Sequence, residues 1–236
     1  MSDLQGKTLV VIGASGAFGN EFCVQLQAAG AKVLGTASSP ETSVRLAADL
    51  QQRLLLDLTN PVSIEDFANY LISSTTQIDG IVFAAGLVAF GSITETPPHV
   101  TRALMQVNAL GQMDLTSRLI PKLKVSAEAG NEPFIVTISG VISESPMAKL
   151  AAYSASKTAI HGYSVAASRE LQKLGIRWLD ARPGHTESGL ASRAIFGEAP
   201  NFGVGATVES VVARIILGIA QGEADLASAA FKYAGK

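Results

Sequence analysis

Two residues in this chain have the types and spacing for proton transfer: Tyr153 and Lys157, in the run Tyr153-Ser154-Ala155-Ser156-Lys157. On a helix, residues four apart stack on one face. A phenol titrates near pH ~10, too high for acid/base work at neutrality. An ammonium about 5 Å away, at an effective dielectric of about 20, favours the phenolate by roughly 3 kcal/mol, which lowers the pKa by about two. A further cation nearby could supply the rest, so the pair is a candidate proton donor and acceptor near pH ~7. Tyr-x-x-x-Lys also describes a surface tyrosine beside a surface lysine. The rest of the chain must therefore supply a partner for the proton.

A second chemical feature lies near the start. Residues 7–12 (KTLVVI) form an apolar, β-branched run that reads as a buried strand. Gly13, Gly16 and Gly19 follow at three-residue intervals. A helical pattern then runs through Phe18, Phe22 and Leu26 to Gly30, and residues 31–36 read as another strand. Strand, glycine turn, helix and strand in this order suit a dinucleotide. Glycines permit positive φ and close approach to a pyrophosphate, and the helix N-terminus offers free N–H groups. Gly13, Ser15, Gly16, Phe18 and Gly19 are the expected contacts.

The elements that must position these groups alternate along the chain. Helices are predicted over 40–51, from Asn60-Pro61, from Thr96-Pro97 to about 124 with Asn108 inside, over 151–174 and over 207–220. Strands are predicted over 53–56, 79–85, 132–138, 176–181 and 224–231. Repeated βα units imply an α/β fold. It is expected to be a single Rossmann-like, doubly wound domain over 1–236, with a mostly parallel six- or seven-stranded sheet and helices on both faces. Ligands in such sheets bind beyond the carboxyl ends of the strands. Gly13, Asp57, Ala85-Gly86, Ser139 and Pro183-Gly184 all follow strands, so the fold should gather them at one edge. The one long connection, 189–206, carries Leu190, Ile195, Phe196, Phe202 and Val204, with Arg193 its only cation. It is predicted to be a substrate lid with an apolar wall.

Composition narrows the function. The chain has 236 residues, of which 16% are charged and 47% hydrophobic, with net charge −2. That balance argues against a nucleic-acid or acidic-membrane surface. No apolar run reaches the ~18 residues of a membrane span. A lone Cys23 excludes an internal disulfide. His99 and His161 have no metal-like spacing, so no metal is expected. The first residues lack a signal-peptide pattern, which makes a cytoplasmic location the expectation.

Taken together, Gly13 to Gly19, Asp57, Ala85-Gly86, Asn108, Ser139, Tyr153-x-x-x-Lys157 and Pro183-Gly184 resemble the short-chain dehydrogenase/reductase family, in its order and over nearly the whole chain. The resemblance implies an NAD(P)-dependent oxidoreductase that interconverts a secondary alcohol and a ketone. It implies that Tyr153 exchanges the proton, that Lys157 lowers the tyrosine pKa and holds the nicotinamide ribose, and that Ser139 hydrogen-bonds the substrate oxygen. Asn108 would fix a helix irregularity and a water. Asp57 and Leu58 would face the adenine; Ala85 and Gly86 belong to the same cofactor set. Pro183, Gly184, Thr186 and Ser188 would hold the carboxamide end of the cofactor.

Three departures stand out. The glycine spacing is G-x-x-G-x-x-G rather than the family's commonest form. Phe83-Ala84-Ala85-Gly86 replaces the usual Asn-Asn-Ala-Gly. The usual serine position, thirteen before the tyrosine, is Gly140; Ser139 is the expected active serine and Ser143 the alternative. The end of strand two, Thr36-Ala37-Ser38-Ser39, carries no acid for a ribose 2′-hydroxyl, so NADP is expected ahead of NAD, with Ser38 near the 2′-phosphate. His185 reads as a solvated loop residue. The partner is a small, apolar carbonyl or alcohol, and the helices over 151–174 and before strand five suggest a homodimer or homotetramer. A non-catalytic nucleotide sensor and a lyase or epimerase of the same fold are the competing readings.

Overall fold

The apolar runs do pair as parallel strands. The computed structural model describes residues 4–47 and 49–231, so both ends of the expected 1–236 domain and Ala48 lie outside the described residues. Its strands are β1 (Thr8–Ile12), β2 (Lys32–Ala37), β3 (Gln52–Leu55), β4 (Gly80–Phe83), β5 (Phe134–Ile138), β6 (Arg177–Ala181) and β7 (Asp225–Leu226). They form one seven-stranded sheet in the order β3-β2-β1-β4-β5-β6-β7, with every pairing parallel. The helices are α1 (Ala17–Ala28), α2 (Pro40–Ser43), α3 (Pro61–Ser74), α4 (Pro98–Met105), α5 (Gly111–Glu128), α6 (Ala151–Leu171) and α7 (Val208–Gln221).

Strand residues alternate between two cores, because successive side chains point to opposite faces. Leu9, Val11, Val82, Val136 and Leu179 join α1 and α7 through Phe22, Leu26, Val212 and Ile215. Val10, Ile12, Ile81, Phe83 and Ile135 join α3 and α5 through Ile64, Phe67, Leu71, Leu115 and Leu119. The sheet is thus covered on both sides, as all-parallel sheets require. The strand order reverses between β1 and β4, the place where such sheets open a crevice.

Three elements differ from the sequence expectation. The helix predicted over 40–51 shrinks to Pro40–Ser43. The Gln51 N–H already bonds Val33 O at 3.1 Å, so the chain must be back at the sheet by then, and Leu46 and Leu50 drop into the core on the way. The single helix predicted from Thr96-Pro97 is broken into α4, a π-helical turn over Gln106–Leu110, and α5. Thr96 does not cap it; its hydroxyl turns back to Ser92 O at 2.9 Å. The strand predicted over 224–231 pairs only through Asp225–Leu226, because Ser228 is drawn to Glu144 through both its N–H and its hydroxyl. The Asn60-Pro61 start of α3 is as expected, with Asn60 Oδ1 accepting from the Val62 N–H at 3.0 Å.

Candidate active site

Tyr153 and Lys157 lie in the first turns of α6, four residues apart on one face. Lys157 is buried at 6% exposure and donates to Ile138 O at 2.7 Å, at the tip of β5. Tyr153 packs among apolar groups, with Val88, Phe90, Ile142 and Leu150 on one side and Ala89, Val100 and Leu104 on the other. Burial dominates both titrations. It pushes the Tyr153 phenol up to about 12. It pulls the Lys157 ammonium down to about 8, against the opposing pull of Asp180. The sequence reading expected the lysine to depress the phenol. In the protein alone desolvation outweighs that effect, because both groups sit in a low-dielectric wall.

Asn108 occupies the π-helical turn and is fully buried. Its Oδ1 accepts from the Leu87 N–H at 2.8 Å, and its Nδ2 donates to Leu87 O and to Ser156 Oγ, both at 2.9 Å. The Ser156 hydroxyl donates onward to Tyr153 O at 2.8 Å. One amide therefore fixes the loop after β4 against the helix that carries the tyrosine. The turn is braced from the other side by Gln106, whose Nε2 donates to Leu58 O at 3.1 Å. A π-helical turn is a common functional irregularity.

The two serines are neighbours with different surroundings. Ser139 is fully buried, and its hydroxyl donates to Asp180 Oδ2 at 2.6 Å. Ser143, at 8% exposure, has its hydroxyl 3.2 Å from Ser139 Oγ and 2.8 Å from Gly140 O. Between them Gly140 takes φ +73°, a conformation that suits glycine and starts the short turn Val141–Ser143.

The glycine turn fits a pyrophosphate by its shape. Gly13 takes φ +83°, and a Cβ there would lie 2.8 Å from the Ala85 backbone; a Cβ on Gly19 would lie 2.1 Å from Gly13 O. The turn thus packs directly on the end of β4, and Gly16 caps the N-terminus of α1 without a side-chain hydrogen bond. Ser15 and Phe18 are partly exposed beside it. Ser38 is exposed at the tip of β2. Glu41 follows, its carboxyl held below the usual range by the Ser39 hydroxyl.

The other expected cofactor residues do reach the carboxyl edge of the sheet. Asp57 spends its Oδ1 on Thr59, at 2.8 Å to N–H and 2.7 Å to the hydroxyl. Leu58 is core, so only its backbone is on offer. A Cβ on Gly86 would sit 3.5 Å from Lys157 Nζ, which puts that backbone beside the lysine. Pro183 O accepts from the Val141 N–H at 2.9 Å, tying the β6 tip to the serine turn. Thr186 Oγ1 bonds Gly184 O at 3.1 Å, and the Ser188 N–H bonds Thr186 O at 2.7 Å.

Residues 189–206 are docked rather than loose. The neck is closed by Ala206 N–H to His185 O at 3.0 Å and Glu187 N–H to Ala206 O at 2.9 Å. The far side is pinned to the loop after β4 by Phe90 N–H to Phe196 O at 2.9 Å and Ile195 N–H to Val88 O at 3.0 Å. His185 is partly exposed, with its Nε2 3.4 Å from Glu187 Oε1 and its ring centroid 5.1 Å from that of Phe202, which lies 6.0 Å from that of Phe90.

An ionic cluster behind the serines, buried at Asp180 and Arg182 and reaching solvent at Asp225, went unread in the sequence. Asp180, Arg182, His161, Glu144 and Asp225 join there. The available signal was a charge in the middle of a strand buried on both faces, residues 177–181 (RWLDA), because a buried carboxylate demands partners.

Comparison with known proteins bears on this geometry. Residues 7–195 match the family model for short chain dehydrogenase. The chain is 26% identical to a frog protein, dehydrogenase/reductase SDR family member 7B from Xenopus tropicalis, over 94% of this chain and 77% of that one. It is 27% identical to a short-chain dehydrogenase structure from Streptomyces avermitilis, with TM-score 0.83 over 96% of this chain and 90% of the other. A short chain dehydrogenase from Burkholderia cenocepacia, solved in complex with NADP, shares the fold at TM-score 0.80 and 21% identity over 96% of this chain and 89% of the other.

Replacing Asn108 with alanine strands the Leu87 N–H and C=O together with Ser156. The expected cost is about 2–4 kcal/mol of unfolding free energy in urea titration. A loss below about 0.5 kcal/mol would show that the amide does not hold the two segments together.

Proposed function

This chain belongs to the short-chain dehydrogenase family, and we propose that its reaction interconverts a secondary alcohol and a ketone, with Tyr153 as the acid/base. The observation that carries the reading is the meeting of Lys157 Nζ, Ile138 O and the Gly86 backbone at the strand tips, with Tyr153 one helical turn away. The cofactor is a nicotinamide dinucleotide, which supplies the hydride when bound. Gly13, Gly16, Gly19 and the α1 N-terminus would hold its pyrophosphate. Gly86, Lys157, Pro183, Gly184, Thr186 and Ser188 would line the nicotinamide half, and Asp57, Leu58 and Ala85 the adenosine half.

The chain's own residues then divide the work. Tyr153 gives its phenolic proton to the carbonyl oxygen in reduction and takes it back from the hydroxyl in oxidation. Lys157 stabilises the phenolate left behind. Ser139 hydrogen-bonds the substrate oxygen, with Ser143 beside it as the alternative. Both hydroxyls donate within the protein, Ser139 to Asp180 Oδ2 and Ser143 to Gly140 O, and Ser143 is the more exposed of the two. Asn108 keeps the tyrosine helix and the loop after β4 in register. The apolar groups around Tyr153 favour an apolar substrate and exclude water from the transfer.

NADP is the first choice of cofactor because the tip of β2 offers an exposed Ser38 hydroxyl and no acid in residues 36–39. Glu41 is the observation on the side of NAD. A panel of ketones followed by loss of reduced nicotinamide absorbance, with NADPH and NADH in parallel, tests the reading. Turnover is expected with NADPH first. Tyr153→Phe should lower kcat about a thousand-fold while NADPH affinity stays within about two-fold. Full activity in that variant would remove Tyr153 from the chemistry.

Residues 189–206 act as a lid in this reading, hinged at the neck made by His185, Glu187 and Ala206. Trypsin should cut at Arg193 more slowly once NADPH is bound. Equal cleavage with and without it would mean the segment does not respond to the site.

A further inference from the structure

Strand β6 places a carboxylate, Asp180, in the middle of a sheet buried on both faces, at 3% exposure. Such a charge is costly unless surrounded by donors. Its Oδ1 accepts from Thr137 Oγ1 at 2.7 Å. Its Oδ2 accepts from Ser139 Oγ at 2.6 Å and lies 2.8 Å from His161 Nδ1 and 3.3 Å from Arg182 Nη1. The guanidinium could neutralise Asp180, but its donors are shared. Arg182 forks onto Asp225 at 2.6 and 2.8 Å and gives its Nε to Glu144 at 2.5 Å. Three carboxylates surround one guanidinium, Asp225 on the exposed side and Asp180 on the buried side, so with a neutral His161 the cluster holds an excess of negative charge behind the active serines.

Lys157 is the next cation inward. It shares the face of α6 with Tyr153, one turn before, and His161, one turn after. Its own hydrogen bond goes to a neutral carbonyl, Ile138 O. Tyr153 and His161 flank it on α6; Asp180 on β6 is joined by His161 and Arg182, and Arg182 in turn by Glu144 after the serine turn and Asp225 on β7.

We infer that Asp180 is a positioning residue that acts through Lys157: it supplies the buried negative charge against which the lysine is held as an ammonium. The inference rests on the proton-transfer reading above, in which Lys157 must be charged to stabilise the Tyr153 phenolate. Burial favours the neutral amine, and Asp180 opposes it. Its bond to Ser139 serves the same end, since each donor on the carboxylate fixes its place behind the residue that follows Ile138, whose carbonyl Lys157 bonds. His161 and Thr137 complete that fixation.

The sign is definite. The Lys157 ammonium loses its proton as pH rises through about 8. With Asp180→Asn the carboxylate charge is gone, so the proton is lost at lower pH. The test is heteronuclear NMR of the cofactor-free protein carrying ε-carbon-labelled lysine, with the Lys157 signal assigned by its absence in Lys157→Met. The Lys157 midpoint should fall by about one pH unit or more in Asp180→Asn, and the alkaline loss of kcat should move down by the same amount. An unmoved midpoint in a folded Asp180→Asn protein overturns the inference. Should that variant melt before it can be titrated, Arg182→Gln carries the test in the opposite direction. Removing the guanidinium enlarges the carboxylate excess, so the midpoint should rise, and a midpoint that stays put or falls overturns the inference. The two readings fail separately. An active Tyr153→Phe sinks the proton-transfer reading, whereas an inactive Tyr153→Phe with an unmoved Lys157 midpoint sinks only the role of Asp180.

Discussion

The site depends on keeping one cation charged where water barely reaches it. Lys157 is almost wholly buried, and burial alone draws its proton off toward neutral pH. The Tyr153 phenol beside it is displaced the other way, up to about 12. Left to desolvation, the pair would be a neutral amine and a neutral phenol at mildly alkaline pH, and the phenolate left by proton transfer would have no cation beside it. What opposes this is fixed by backbone: the Ile138 carbonyl at the tip of β5 and the Asp180 carboxylate on β6. Charge support that is built into strands does not reorganise during the reaction, which is what makes it useful in a dry site.

The parallel sheet makes that arrangement possible. Its strands deliver their carboxyl ends to one edge, so Gly13, Gly86, Ile138, Ser139 and Pro183 arrive from different parts of the chain at the same place. Close packing then sets the distances. A Cβ at Gly13 would strike Ala85, and one at Gly19 would strike Gly13 O, so these steps are glycine for reasons of space. Asn108 transmits the same order to α6 through Ser156, because its amide joins the loop after β4 to the carbonyl of Tyr153. The π-helical turn that buries Asn108 is held in turn by Gln106 on Leu58.

Much of this was legible in the residues alone. Periodicity placed six of the strands, and spacing placed the glycine turn, the Tyr153/Lys157 pair and Asn108, because those signals are local. The misread elements were decided by contacts distant in sequence. Residues 44–47 and 49–51 abandon a helical pattern to pair Gln51 with Val33 and to bury Leu46 and Leu50. The helix through Asn108 breaks because its side chain and that of Gln106 bond loops that follow other strands. The ionic cluster was the least visible part. Asp180, Arg182, Glu144, His161 and Asp225 are spread over more than one element, and only the fold shows that they meet. The departures read from the sequence had a local counterpart: Gly140 at the usual serine position takes a positive φ, which turns the chain so that Ser143 lies beside Ser139.

The measurement that bears most directly on the account is the ionisation of the Tyr153 phenol itself. Phenolate absorbance, taken as the difference between wild type and Tyr153→Phe, can be titrated with and without bound NADP⁺. In the free protein the phenol should stay protonated to about pH 12. Lys157 is already neutral over that range, so the positive charge of the oxidised cofactor, once bound at the strand tips, would act on the phenol alone, and the midpoint should fall by about two pH units or more. A midpoint that stays put when NADP⁺ binds would contradict the claim that charge gathered at the strand tips makes this tyrosine an acid.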